Sequence, residues 1–223
     1  MKSSSALRES LRSALLLYAV TDRAWLGAGH PCRSLSDAVS RAIDGGATMV
    51  QLREKDLGEE DFLSEARAIK AVCDERGVPL IINDRVSVAK ACGAAGVHVG
   101  QDDASVLEAR AALGSGAIVG VSCENVAQAL AAERAGADYL GVGAVFPTGS
   151  KQDAADVSIE TLREICRAVS IPVVAIGGIT AENAPLLKGS GIAGLSVISA
   201  IFAADDICAA ATVMRSAARA AII

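Results

Sequence analysis

The sequence predicts a closed (β/α)8 TIM barrel, an α/β fold, on three observations. Short apolar runs rich in Val, Ile and Leu recur eight times, at 15–21, 48–52, 79–83, 96–100, 117–122, 138–146, 171–177 and 191–200. Strands that are apolar on both faces belong to a parallel sheet covered by helices. Stretches of helical period follow the runs, at about 35–44, 60–73, 86–93, 104–113, 125–135, 158–169, 181–188 and 205–219. Parallel strands joined through helices take right-handed crossovers, and eight such units can close on themselves. Finally, polar residues gather at the C-terminal end of nearly every apolar run, where a barrel of this kind carries its chemistry.

The elements follow in order. Residues 1–13 read as a polar or helical lead-in. Lys2, Arg8 and Arg12 precede an apolar run, but Glu9 interrupts the basic region and the run passes directly into Thr21-Asp22-Arg23. No small-residue cleavage site follows, so a signal peptide is not expected. In 60–73, Phe62, Ala66, Ile69 and Cys73 share one helical face while Glu65, Arg67 and Lys70 lie off it. Gly45, Gly77, Gly93, Gly136 and Gly189 stand where helices end, a position that favours a left-handed residue. A doubly wound open sheet is the alternative, but no GxGxxG follows the first run. No linker or low-complexity stretch divides the chain, so 1–223 is expected to form one TIM-barrel domain with 1–13 as its lead-in. No apolar run approaches the roughly 18 residues of a membrane span.

Composition limits the function classes. The 223 residues carry 21 Lys+Arg against 26 Asp+Glu, a formal charge of −5, with 52% hydrophobic and only 3% aromatic residues. That balance excludes a disordered or collagenous chain. It also argues against a broad nucleic-acid surface or a base-stacking platform. A chain of this length buries about 70% of its unfolded surface and needs no covalent staple. The six cysteines are dispersed, the nearest pair, Cys73 and Cys92, being 19 positions apart, so no zinc or redox spacing is present. They read as small buried hydrophobes in a reducing compartment, and the expected location is cytoplasmic.

The strand-end junctions carry the chemistry. Gln51, Arg53 and Lys55 are spaced by two, so an extended chain places all three on one face. A guanidinium and an ammonium aimed into a barrel mouth make an oxyanion or phosphate receptor; alternatively, both pair with Glu54 or Asp56 in a solvated loop. Asp84 and Asp103 each follow a strand and precede a helix. They read either as N-caps or as two carboxylates suited to Mg²⁺ bridging the protein and a phosphate chain. Thr148-Gly149-Ser150-Lys151 offers hydroxyls, backbone N–H groups and an ammonium, a compact anion cradle. Gly177-Gly178 and Ile198-Ser199 end the seventh and eighth runs, where barrels commonly build a monophosphate site. Ser122 ends the fifth run without the partners of a hydrolytic triad. His98 lies within a strand and reads as a core histidine. Trp25 and Phe146 are candidates to flank a planar ligand. The sum is a barrel with two anion sites, over strands 2–4 and strands 6–8.

In order and at barrel spacing, these junctions resemble the thiamine phosphate synthase (thiamine-phosphate pyrophosphorylase) family. The motifs are Gln51-Leu52-Arg53-Glu54-Lys55, Ile82-Asn83-Asp84-Arg85, Val97-His98-Val99-Gly100-Gln101-Asp102-Asp103, Gly120-Val121-Ser122, Phe146-Pro147-Thr148-Gly149-Ser150-Lys151 and Ile176-Gly177-Gly178-Ile179. The resemblance implies a transferase that joins 4-amino-2-methyl-5-hydroxymethylpyrimidine diphosphate to 4-methyl-5-(2-hydroxyethyl)thiazole phosphate. Diphosphate leaves first in a dissociative substitution, and thiamine phosphate is formed. It implies Gln51, Arg53, Lys55, Asn83, Ser122 and Lys151 on the pyrimidine diphosphate, with Arg53, Lys55, Ser122 and Lys151 catalytic. Asp84 and Asp103 would hold Mg²⁺, and Thr148, Ser150, Gly177, Gly178, Ile198 and Ser199 the thiazole phosphate. Ser150 stands where the family often has Thr, and 152–157 lacks the Pro and Gly expected there. A thiazole tautomerase-like isomerase and a non-catalytic thiazole-phosphate-binding paralogue are the alternatives on the same barrel. The expected partners are the two small substrates, with no nucleic acid and no membrane; homo-oligomer formation is left undecided.

Overall fold

The computed structural model describes residues 4–26, 32–101, 103–149 and 156–222. Its strands are β1 (Leu17–Val20), β2 (Met49–Leu52), β3 (Leu80–Asn83), β4 (Gly96–Val99), β5 (Ile118–Cys123), β6 (Tyr139–Val142), β7 (Val173–Ile176) and β8 (Gly194–Val197). All neighbours pair in parallel and β8 returns to β1, closing the barrel in sequence order. The helices are α1 (Ser4–Ala14), α2 (Leu35–Asp44), α3 (Glu59–Glu75), α4 (Val86–Cys92), α5 (Val106–Leu113), α6 (Val126–Ala135), α7 (Ile159–Ala168), α8 (Ser199–Phe202) and α9 (Ile207–Ile222). The predicted TIM barrel is therefore the fold. Among the described residues no helix is long and apolar enough to cross a membrane.

Local chemistry sets the boundaries. Ser34, Asn125 and Ser158 each accept a backbone N–H from three residues ahead and so start α2, α6 and α7. Ser105 and Glu108 form a reciprocal capping box on α5. Three predicted segments are redrawn. The stretch 181–188 contains only a 3₁₀ turn, Ala184–Leu187, with Pro185 in its first turn. Three residues per turn place Ala184 and Leu187 together in the core and leave Leu186 outside. β6 stops at Val142 because Val145 and Phe146 turn to donate to the carbonyls of Ile176 and Gly177. The end of the predicted eighth strand is instead the short α8.

Alternation divides the apolar residues into two cores. Leu17, Ala19, Val50, Leu52, Leu80, Ile82, Val119 and Val121 face outward against the helices, where Phe62, Ala66, Ile69 and Cys73 of α3 also lie. Tyr18, Met49, Ile81, Tyr139 and Val174 face inward and fill the barrel with Leu15, and Leu11 and Ala14 of α1 pack against this inner cluster. The lead-in is thus a helix that covers inner-core residues.

Two large aromatics fit inside because their neighbours have no side chain. A Cβ on Gly120 would lie 2.1 Å from the Tyr139 ring, and one on Gly141 would lie 3.1 Å from the His98 ring. Gly120→Ala is expected to lower stability by about 1–3 kcal/mol through overpacking. Gly116→Ala, whose Cβ would meet nothing within 4 Å, should stay within about 0.5 kcal/mol of the parent. Urea unfolding midpoints of the two variants check this difference.

Candidate active site

The inward parity of the strands builds the site upward from the inner core. On β2, Met49 and then Gln51 point inward, and beyond the strand Arg53 and Lys55 keep that parity; Gln51, Arg53 and Lys55 all line the cavity at the C-terminal mouth. Thr21, fully buried after β1, fixes this exit. Its N–H donates to the Gln51 carbonyl at 2.9 Å, and its hydroxyl accepts the Arg53 N–H at 3.1 Å. Glu54 has the opposite parity and pairs with Arg23 at 3.1 Å; Arg23 also contacts Glu65. Among the described residues no ion pair involves Arg53 or Lys55. Glu54 is engaged by Arg23 rather than by either of these cations.

Neither Asp84 nor Asp103 is an N-cap. α4 begins after Arg85, which makes no side-chain cap bond, and α5 is capped by Ser105. Asp84 instead adopts φ 60, a left-handed conformation that Asp tolerates better than most residues. Its backbone N–H donates to the His98 carbonyl at 2.8 Å, and the Asn83 amide donates to its carboxylate at 2.5 Å. Asp103 accepts the Gly100 N–H at 2.7 Å through Oδ2. Asn83, Asp84 and Asp103 line the same cavity as the basic triplet.

The opposite wall comes from the loops after β6, β7 and β8. Thr148, Gly177, Gly178, Ile198 and Ser199 all border the cavity. Gly178 combines φ 61 with a close approach: its Cβ would lie 2.3 Å from the Pro147 carbonyl oxygen. No other residue meets both demands at low cost. Asn183 holds this turn by donating to the Gly178 carbonyl at 2.8 Å. The two anion regions expected from the sequence are therefore two sides of one cavity of about 480 Å³. Ser150, Lys151 and residues 152–155 of the following loop lie outside the described residues.

Several lining residues were not singled out by the sequence. Tyr18, His98, Gln101 and Glu124 border the cavity, and Tyr139 lies directly beneath it, in contact with the first two. His98 is buried, as expected of a core histidine, yet it bonds Ser122 at 3.0 Å on the cavity wall. Gln101 donates to the Ser122 carbonyl at 2.6 Å. For Tyr18, His98 and Tyr139 the signal is polarity at the inward parity of otherwise apolar strands, whereas Gln101 and Glu124 lie just beyond the ends of β4 and β5. Trp25 and Phe146 do not line the cavity.

Fold and site together define a class: a TIM barrel with one cavity at its C-terminal mouth, cations and carboxylates on one side and a glycine turn on the other. The sequence model described as thiamine monophosphate synthase matches residues 17–201, and the chain belongs to this family. The thiamine-phosphate synthase of Ruminiclostridium cellulolyticum is 51% identical over 191 residues, covering 86% of this chain and 89% of its own. That of Clostridium beijerinckii is 48% identical over 200 residues, covering 90% and 94% respectively. The solved structure of thiamine phosphate pyrophosphorylase from Pyrococcus furiosus is 36% identical with a TM-score of 0.85, covering 94% of this chain and 98% of its own.

Cys123, beside Ser122, faces away from the inner core, and burial pushes its thiol up to about 12; Cys73 is raised to about 12 for the same leading reason. At pH 8 only about 10⁻⁴ of each would be thiolate. Iodoacetamide is expected to leave both unmodified in the folded protein and to label both in urea, as read by peptide mass spectrometry.

Proposed function

We propose that this cavity performs the thiamine phosphate synthase reaction, joining 4-amino-2-methyl-5-hydroxymethylpyrimidine diphosphate to 4-methyl-5-(2-hydroxyethyl)thiazole phosphate. The observation that carries this reading is the convergence of a basic and acidic wall with a glycine-turn wall on one cavity. One wall suits a diphosphate and the other a monophosphate. The relatives bear the same activity in their names.

In this reading Arg53 and Lys55 bind the diphosphate, with Asn83 and Lys151 as further donors. Gln51 and Ser122 hold the pyrimidine. Thr148, Ser150, the Gly177-Gly178 turn, Ile198 and Ser199 hold the thiazole phosphate. Asp84 and Asp103 fit a Mg²⁺ site by their chemistry: both are hard oxygen donors on the cavity wall. Magnesium commonly takes one or two carboxylates and completes its shell with water and phosphate oxygens. Among the described residues no cluster of three or more metal-ligating side chains forms an all-protein cage, consistent with a site completed by substrate. When bound, Mg²⁺ would supply positive charge against the diphosphate.

The substitution balances without a general base. The bond from the pyrimidine methylene to oxygen breaks with its electron pair going to diphosphate, leaving a methylene cation stabilised by the aminopyrimidine ring. The thiazole nitrogen then donates its lone pair to that carbon, giving the thiazolium of thiamine phosphate, and no proton is lost. The protein's work is to neutralise charge growing on the leaving group and to hold the nucleophile in line. The reaction's small, water-borne substrates suit a cytoplasmic enzyme.

Incubation with both substrates and Mg²⁺ should yield thiamine phosphate and diphosphate in equal amounts. Asp84→Ala and Lys151→Ala should each cut turnover about 10²–10³-fold, the range for removing a group that stabilises developing charge, with the circular dichroism spectrum unchanged. Unaltered diphosphate release in a single-turnover assay of both variants would reject these roles. Isomerisation of a thiazole phosphate without diphosphate release would indicate the tautomerase-like alternative, and ligand binding without turnover the non-catalytic one.

A further inference from the structure

A continuous hydrogen-bonded chain crosses the barrel beneath the cavity. Gln51 Nε2 donates to the Tyr18 hydroxyl at 2.7 Å, and the hydroxyls of Tyr18 and Tyr139 meet at 2.8 Å. Tyr139 bonds His98 Nδ1 at 2.9 Å, and His98 Nε2 bonds Ser122 Oγ at 3.0 Å. The two ends, Gln51 and Ser122, lie on the cavity wall, which Tyr18 and His98 also border from below. The middle is tightly enclosed: both tyrosines are essentially fully buried, and the glycines at 120 and 141 leave room for the Tyr139 and His98 rings.

Donor counting gives this chain one direction. Gln51 donates to Tyr18, and among the described residues Tyr139 is the one acceptor bonded to the Tyr18 hydroxyl, so the single hydroxyl proton of Tyr18 goes to Tyr139. Tyr139 accepts there and spends its own proton on His98 Nδ1. That nitrogen must then be the acceptor of a neutral imidazole, with the proton on Nε2 directed at Ser122. Ser122 accepts and keeps its own proton to donate. At the other end, Gln51 has used an N–H and presents its carbonyl oxygen.

We propose that Tyr18, Tyr139 and His98 are positioning residues that fix the hydrogen-bond polarity of the two ends, with Gln51 offering an acceptor and Ser122 a donor. Resting on the function proposed above, this assigns the cavity's preference to a planar heterocycle with an amine donor on one edge and a ring-nitrogen acceptor on another. An aminopyrimidine has this pattern. Turning one end would require turning every bond in the chain, so the amide and hydroxyl are coupled although neither touches the other. Buried polar networks hold one arrangement when every member is satisfied and lose it when one is removed.

Two readouts test the proposal on the full-length protein. Long-range ¹H–¹⁵N NMR is simple to assign because only His30 and His98 are present. His98 should be the neutral Nε2–H tautomer, and Tyr139→Phe should shift its Nδ1 resonance. In steady-state kinetics, Tyr18→Phe and Tyr139→Phe should each raise KM for the pyrimidine diphosphate about tenfold, the scale of one hydrogen bond. KM for the thiazole phosphate should change less than twofold. The double variant should be no worse than the poorer single one, because a broken chain cannot be broken again. An Nδ1–H tautomer in the parent protein, equal rises in both KM values, or multiplicative effects in the double variant would each overturn the proposal. If the parent forms no thiamine phosphate, the functional reading fails while the tautomer and its response in Tyr139→Phe still decide the chain. Should Tyr139→Phe fold poorly, Tyr18→Phe decides through the KM split, which a loss of stability alone would not produce.

Discussion

Two tyrosine hydroxyls meet in the middle of the barrel, where neither has access to bulk water. A buried hydroxyl without a partner is costly, on the order of 1–3 kcal/mol, so the pair must be satisfied internally. That requirement reaches both ways along the strands. Burial pushes the pKa of Tyr18 and of Tyr139 above the ordinary phenol value, so both stay protonated and each keeps a proton to donate. Their rings stack edge to face at 5.8 Å. Gly120 leaves the space for the Tyr139 ring, and Gly141 the space for the His98 ring beside it. Below the tyrosines the barrel is apolar and lies against α1; above them it opens into the cavity.

The site is an outgrowth of this inner layer. The same parity that aims Tyr18 and Met49 inward aims Gln51, Arg53 and Lys55 at the mouth, while Glu54 turns away to Arg23. One residue of slip on β2 would reverse this and carry both cations away from the cavity. Thr21 resists such a slip by donating to Gln51 and accepting from Arg53, two consecutive inward positions of β2 and its exit. The opposite wall depends on backbone conformation: Gly177 and Gly178 occupy positive φ, and the 146–147 segment packs too close to Gly178 for a side chain.

Much of this was legible from residue order. The eight apolar runs mark all eight strands, and spacing by two in Gln51, Arg53 and Lys55 predicts their common direction. The shift from an N-cap to a cavity residue at Asp84 was not legible, because φ 60 and the start of α4 after Arg85 are set by packing. His98 looked like a core histidine because burial and participation in a polar chain have the same local sequence. Tyr18 and Tyr139 are 121 positions apart, and only closure of the barrel joins them. The sequence does not separate the 3₁₀ turn at Ala184–Leu187 from an α-helix, because a three-residue repeat and a 3.6-residue repeat differ little over one turn.

The central claim is that one cavity receives a diphosphate on the β2–β4 side and a monophosphate on the β7–β8 side. A crystal structure with thiamine phosphate, diphosphate and Mg²⁺ tests it most directly. The account predicts diphosphate within hydrogen-bond distance of Arg53, Lys55 and Asn83, the metal on Asp84 and Asp103, and the monoester phosphate on Gly177-Gly178 and Ile198-Ser199. Diphosphate bound at the glycine turn, or a metal held without either carboxylate, would contradict it.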